Sequence, residues 1–153
     1  MTTTRAPSKS TWFLVARRSG ATIFSNYGRG TALEVVAEID NPDGRLPGSE
    51  LEADRPGRSF DRAGYGRHSM STEESAREHV EHIFAKRLAD YLDKNRCENV
   101  YDQLILVAGP RLLGELRAAL STATQRLVTL EINKEISPTE RELRSHLDGL
   151  APL

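Results

Sequence analysis

Four arginines, Arg55, Arg58, Arg62 and Arg67, stand close together within DRPGRSFDRAGYGRHSM, residues 54–70. A guanidinium group is a rigid fork of N–H donors that matches phosphate oxygens two at a time. Gly57, Gly64 and Gly66 are interleaved with them, and glycine lets backbone N–H groups approach an anion closely. Phe60 and Tyr65 supply flat faces on which bases can stack. The chemistry this composition serves is contact with something anionic, with nucleic acid the leading candidate. The contacts are assigned to Arg55, Arg58, Arg62, Gly64, Tyr65, Gly66, Arg67 and His68. The competing reading is a solvated loop whose arginines pair with Asp54, Asp61 and neighbouring acids.

No complete catalytic constellation accompanies this stretch. His68 is the one candidate catalytic group, since imidazole changes charge near neutral pH; Ser69 is adjacent, but no serine–acid pair lies at a diagnostic spacing. Glu50, Glu52, Asp54 and Asp61 have the oxygens a divalent metal needs. Two-metal hydrolysis, however, requires carboxylates clustered on neighbouring strands. The apolar runs TWFLVA (11–16) and LILVAG (104–109) contain none, and Asp102 lies at the start of the second run, the wrong end. VAGPRLLGELR lacks the Gly-Lys-Ser/Thr ending of a phosphate loop, and no Gly-x-Gly-x-x-Gly turn is present. His79 and His82 share a helix surface, which is not a metal site by itself. Neither metal nor cofactor is expected.

The elements that must position the arginine stretch follow from hydrophobic periodicity. TWFLVA (11–16) reads as a strand, RRSGA as a turn, and TIFSNY (22–27) as a second, alternating strand. LEVVAEI (33–39) completes an antiparallel meander. Residues 41–70, rich in proline and glycine, read as one long loop, of a length that tends to be functional. STEE (71–74) has the capping-box pattern and predicts a helix from 72 to about 95, with Ala76, Val80, Ile83, Phe84, Leu88 and Tyr91 on one face. Arg87 falls on that face, so its guanidinium must either bend outward along its aliphatic stem or meet a buried carboxylate.

LILVAG is continuous and apolar, as in a strand buried on both sides by a parallel arrangement. Pro110 then opens a helix lined by Leu112, Leu113, Leu116 and Leu120, in which Gly114 is expected to permit close packing. LVTLEI (127–132) is the fifth strand. SPTERELRSHL (137–147) is a last helix with a second capping box, Ser137 to Glu140, stopped by Gly149. The fold class is α/β, a mixed five-stranded sheet with flanking helices, in the ribonuclease-H-like order 3-2-1-4-5.

The chain has 153 residues, enough for one domain with a proper core. Residues 1–10 read as a flexible N-terminal arm and 11–150 as a single α/β domain. Net charge is −1, so attraction to an anion must come from a local patch. A single cysteine, Cys97, excludes an internal disulfide and suits a reducing compartment. MTTTRAPSKS has no apolar h-region, and no apolar run approaches a membrane span. A cytoplasmic protein is expected.

Taken together, TWFLVARRSGATIF, NPDGRLPGSELEADRPGRSFDRAGYGRHSM, FAKRLADYL, LILVAGPRLLGELR and EINKEIS resemble the bacterial host-attachment proteins, over nearly the whole chain from Thr11. That family is similar, at the superfamily level, to the middle domain of archaeal and eukaryotic peptide-chain release factors. There a glycine-rich loop before a long helix carries a Gly-Gly-Gln tripeptide that helps hydrolyse peptidyl-tRNA on the ribosome. AGYGRHS occupies the corresponding place here, with Gly64 and Gly66 but no Gly-Gly pair and no Gln, so the tripeptide does not carry over. The resemblance implies the fold and an RNA-facing loop, with tRNA or the ribosome as partner. The alternatives are a hydrolase of peptidyl-tRNA or a similar ester, and a protein-interaction factor that affects attachment indirectly.

Overall fold

The computed structural model describes residues 10–26, 32–45 and 66–148. TWFLVAR forms β1, Thr11–Arg17, with Trp12 to Ala16 all buried. Aromatic and β-branched side chains suit the pleated, two-sided environment of a central strand. The chain reverses through Arg18 and Ser19 into β2, Gly20–Asn26, placing Gly20 opposite Arg17. β3, Glu34–Asp40, pairs antiparallel with β2. Ile23 faces Ala37 and Phe24 faces Val35, so Val36 is an extra residue bulged out of this outer strand.

β4, Gln103–Ala108, joins the other side of β1 in parallel, and β5, Val128–Asn133, lies parallel to β4. The order β3-β2-β1-β4-β5 is the one the sequence predicts. The helices are α1, Gly66–Cys97; α2, Pro110–Ala119; a single turn α3, Thr122–Gln125; and α4, Glu140–Asp148. No helix among the described residues is long and apolar enough to cross a membrane.

The strand period of two sorts the core into two layers. Trp12, Leu14, Leu104 and Leu106 face α1 and α2, where Phe84, Leu88, Leu92 and Leu113 meet them. Phe13, Val15, Ile105 and Val107 face the other way, onto Leu143 and Leu147 of α4. Each large side chain so buried contributes about 1.5–3 kcal/mol relative to exposure. Tyr101 stacks on Trp12 at 4.6 Å between centroids and donates its hydroxyl to Leu92 O at 2.7 Å. Burial pushes its pKa up to about 12, with the nearby Asp93 carboxylate adding to the effect.

Several local expectations are corrected. The long helix begins at Gly66, so Ser71 and Glu74 lie inside it and do not cap it. Nothing between Gly66 and Ser71 forbids helical geometry, and once a helix is nucleated by packing it extends back to the last glycine. The expected loop 41–70 is shortened at its other end too, because Pro42–Arg45 forms a 3₁₀ turn. The buried face of α1 is rotated: Ala76, Phe84 and Leu88 are buried as expected, but Ala85, Ala89 and Leu92 complete it, and Ile83 is 45% exposed. Small alanines that let a helix settle on a sheet do not register in a pattern of large apolar residues.

α4 starts at Glu140, after a cap from Thr139, whose Oγ1 accepts the Glu142 N–H at 3.2 Å. Glu140 therefore does not close a box with Ser137. Its carboxylate takes the Leu33 N–H at 3.3 Å and Arg144 Nε at 3.0 Å. Gly149 lies outside the described residues. A Cβ on Gly114 would meet nothing within 4 Å, so this glycine serves no close contact.

Arg87 resolves as the outward case. It is exposed, its guanidinium carbon stands 5.4 Å from the Phe84 ring centroid, and Nη2 donates to Asp40 O at 3.2 Å. An Arg87→Met variant should lose no more than about 1 kcal/mol, the worth of an exposed cation–π contact, in urea unfolding. A loss of several kcal/mol would indicate a required buried ion pair.

Candidate anion-binding site

The parallel strands β1, β4 and β5 all end on the same edge of the sheet, where ligands of open α/β folds bind. β1 ends there in Arg17, followed by the two turn residues Arg18 and Ser19. The 3₁₀ turn is fastened to this hairpin. Asn41 N–H donates to Ser19 O at 3.0 Å and Asn41 Nδ2 to Arg18 O at 2.8 Å, while Arg18 Nε donates to Gly44 O at 2.9 Å. Gly44 permits the contact: a Cβ there would lie 1.8 Å from Arg18 O. Arg45 follows and pairs with Asp40; both side chains are largely exposed.

Three arginines therefore converge. Arg17 is half-buried and has no hydrogen-bond or ion-pair partner among the described residues, and the terminal nitrogens of Arg18 have none either. Arg17, Ser19 and Arg45 form a shared wall between two cavities, of about 380 and 430 Å³. The first also touches Arg18, Gly44, Glu81 and Glu135.

Glu81 comes from α1, one turn beyond Arg77 on the stripe that continues to Phe84. Its side chain is only 12% exposed. Oε1 is shielded from water with no hydrogen-bond partner among the described residues, as is Arg77 Nε, although Arg111 Nε stands 3.8 Å from Glu81 Oε1. Burial raises the pKa of Glu81; Arg111 and Arg18 oppose the shift, and Glu115 and Glu135 add to it.

A carboxyl whose folded pKa is raised stabilises the fold below its ordinary value of 4.5, and that contribution is lost as pH rises through the elevated range. Glu81→Gln should therefore melt higher than wild type at neutral pH, with the difference closing as pH falls below 4.5. A variant that melts lower at pH 7 would show that attraction to Arg111 outweighs burial.

The sequence-assigned residues divide in two. Arg55, Arg58, Arg62, Gly64 and Tyr65 lie outside the described residues, as do Phe60 and the carboxylates Glu50, Glu52, Asp54 and Asp61. Gly66, Arg67 and His68 form the first turn of α1, on helix and not on loop. The framework fixes where the intervening segment is rooted. It leaves from Arg45 in the cavity wall and rejoins the fold at Gly66, the start of α1; further along that helix Glu74 lies 3.6 Å from Arg111, just past the carboxyl end of β4.

Asp102 sits at the opposite edge, where its Oδ2 accepts the Ser10 N–H at 3.0 Å. His82 Nδ1 lies 2.9 Å from Glu115 Oε1, a link between α1 and α2, and His79 is exposed. Sequence reading passed over Arg17, Arg18, Arg45 and Glu81 as site residues. The available signal was the pair Arg17–Arg18 directly after a wholly apolar run.

A family model described as "Protein required for attachment to host cells" matches residues 12–147. No curated protein matches the chain.

Proposed function

The chain belongs to the family of proteins required for attachment to host cells, and from that premise we propose that it is a cytoplasmic RNA-binding module whose partner is tRNA or the ribosome. In this reading the 54–70 segment supplies Arg55, Arg58, Arg62 and Arg67 to phosphates, and attachment is affected through translation. One observation supports the reading: the chain enters that segment from Arg45, in the wall of a cavity where the side chain of Arg17 and the tip of Arg18 are uncommitted among the described residues. One further feature supports it. The strand order β3-β2-β1-β4-β5 is compatible with placement beside release-factor middle domains, which belongs to the same proposal.

The test is a titration of labelled tRNA and of ribosomes with wild type and with an Arg55/Arg58/Arg62/Arg67→Ala variant at low and moderate salt. The proposal expects wild-type binding that weakens with salt and a variant that binds poorly at both. Equal binding by the two proteins would contradict it.

A further inference from the structure

We propose that the cavity of about 380 Å³ walled by Arg17, Arg18, Arg45, Glu81 and Glu135 is a binding site for a phosphomonoester that also bears hydroxyl groups, a nucleoside monophosphate being the simplest example. The volume lies in the range of small-ligand sites. One wall is built for a dianion. Arg17 offers a guanidinium with no partner among the described residues, and Arg18 offers its terminal nitrogens, its Nε alone being held by Gly44 O. Among the described residues Arg45 pairs with an exposed Asp40, and exposed ion pairs are weak enough to exchange for a phosphate.

Two carboxylates also line the cavity, and they ask for a hydrogen-bond donor. Glu81 Oε1 accepts no hydrogen bond among the described residues; Arg111 Nε, at 3.8 Å, compensates its charge without completing a hydrogen bond. An ionised carboxylate only accepts, so the group that completes it is a donor, which the hydroxyls of a sugar supply. Glu135, which follows β5 on the same edge, provides a second acceptor. Phosphate at one end and hydroxyls at the other describe a phosphorylated sugar or nucleotide, while inorganic phosphate satisfies only half of the cavity. The inference does not rest on RNA binding by the 54–70 segment.

Isothermal titration of the full chain with AMP, adenosine and inorganic phosphate tests it. AMP is expected to bind, adenosine not, and phosphate about tenfold more weakly than AMP, the worth of a hydrogen bond to a charged acceptor. Arg17→Ala and, separately, Arg18→Ala should each weaken AMP by about tenfold. Glu81→Gln should weaken AMP while leaving phosphate unchanged, and thermal melts establish that each variant is folded. The Arg55/Arg58/Arg62/Arg67→Ala variant should bind AMP like wild type, whatever becomes of its tRNA binding. The site is overturned if wild type does not bind AMP, if AMP binds no tighter than phosphate, if folded Arg17→Ala and Arg18→Ala bind AMP undiminished, or if the four-arginine variant loses AMP.

Discussion

Gly44→Ala should destabilise the domain by about 2–4 kcal/mol, the range for forcing a side chain into filled space. The added Cβ would sit 1.8 Å from Arg18 O and 2.6 Å from Arg18 C, and both are backbone atoms that cannot rotate away. The 3₁₀ turn would have to lift off the hairpin, stretching the Arg18 Nε–Gly44 O, Asn41 Nδ2–Arg18 O and Asn41 N–Ser19 O bonds together. Denaturant unfolding measures the loss. Gly114→Ala is the internal control: its Cβ meets nothing, so replacing a glycine within a helix should raise stability by about 0.5–1 kcal/mol. A Gly44→Ala protein as stable as wild type would show that the turn is not locked to the hairpin.

The second large effect concerns binding. Loss of Arg55, Arg58, Arg62 and Arg67 should reduce tRNA affinity by roughly a hundredfold to a thousandfold. Each exposed guanidinium–phosphate contact contributes about 0.7–1 kcal/mol once competition with water and salt is counted, and each 1.4 kcal/mol is about tenfold. The chain as a whole carries a net charge of −1, so no general attraction would mask the loss. Stability should change little, since substitutions of strongly hydrated arginines usually stay within about 0.5 kcal/mol. Gel-shift titration at fixed salt reads the first effect and a thermal melt the second. A variant within a factor of two of wild type would exclude the segment from binding.

Much of the fold was legible because its signals are periodic and local. TWFLVA and LILVAG announce themselves as central strands by having no polar face, and the meander by its short turns. The misread start of α1 has a physical cause: STEE satisfies the capping pattern, but a pattern states only that capping is possible, and helix geometry back to Gly66 was also allowed. The site was less legible. Arg17 and Arg18 looked like ordinary turn residues, and Arg45 was lost in a stretch whose charges balance. Glu81 looked like part of a polar helix surface. Only the joining of the β1–β2 hairpin, the 3₁₀ turn and α1 at one edge of the sheet brings these residues together. A juxtaposition of residues far apart in the chain leaves no periodic trace.

In the proposed complex with tRNA, Arg17 and Arg18 at the carboxyl edge of the sheet take phosphates in addition to those held by the 54–70 segment. The most direct test is the slope of log binding constant against log salt for tRNA, measured for wild type and for Arg17→Ala/Arg18→Ala. Each phosphate contact removed should flatten the slope by about 0.7–0.9, so the double variant is expected to be shallower by about 1.4–1.8 and weaker at low salt. An unchanged slope with unchanged affinity would show that Arg17 and Arg18 do not touch tRNA phosphates.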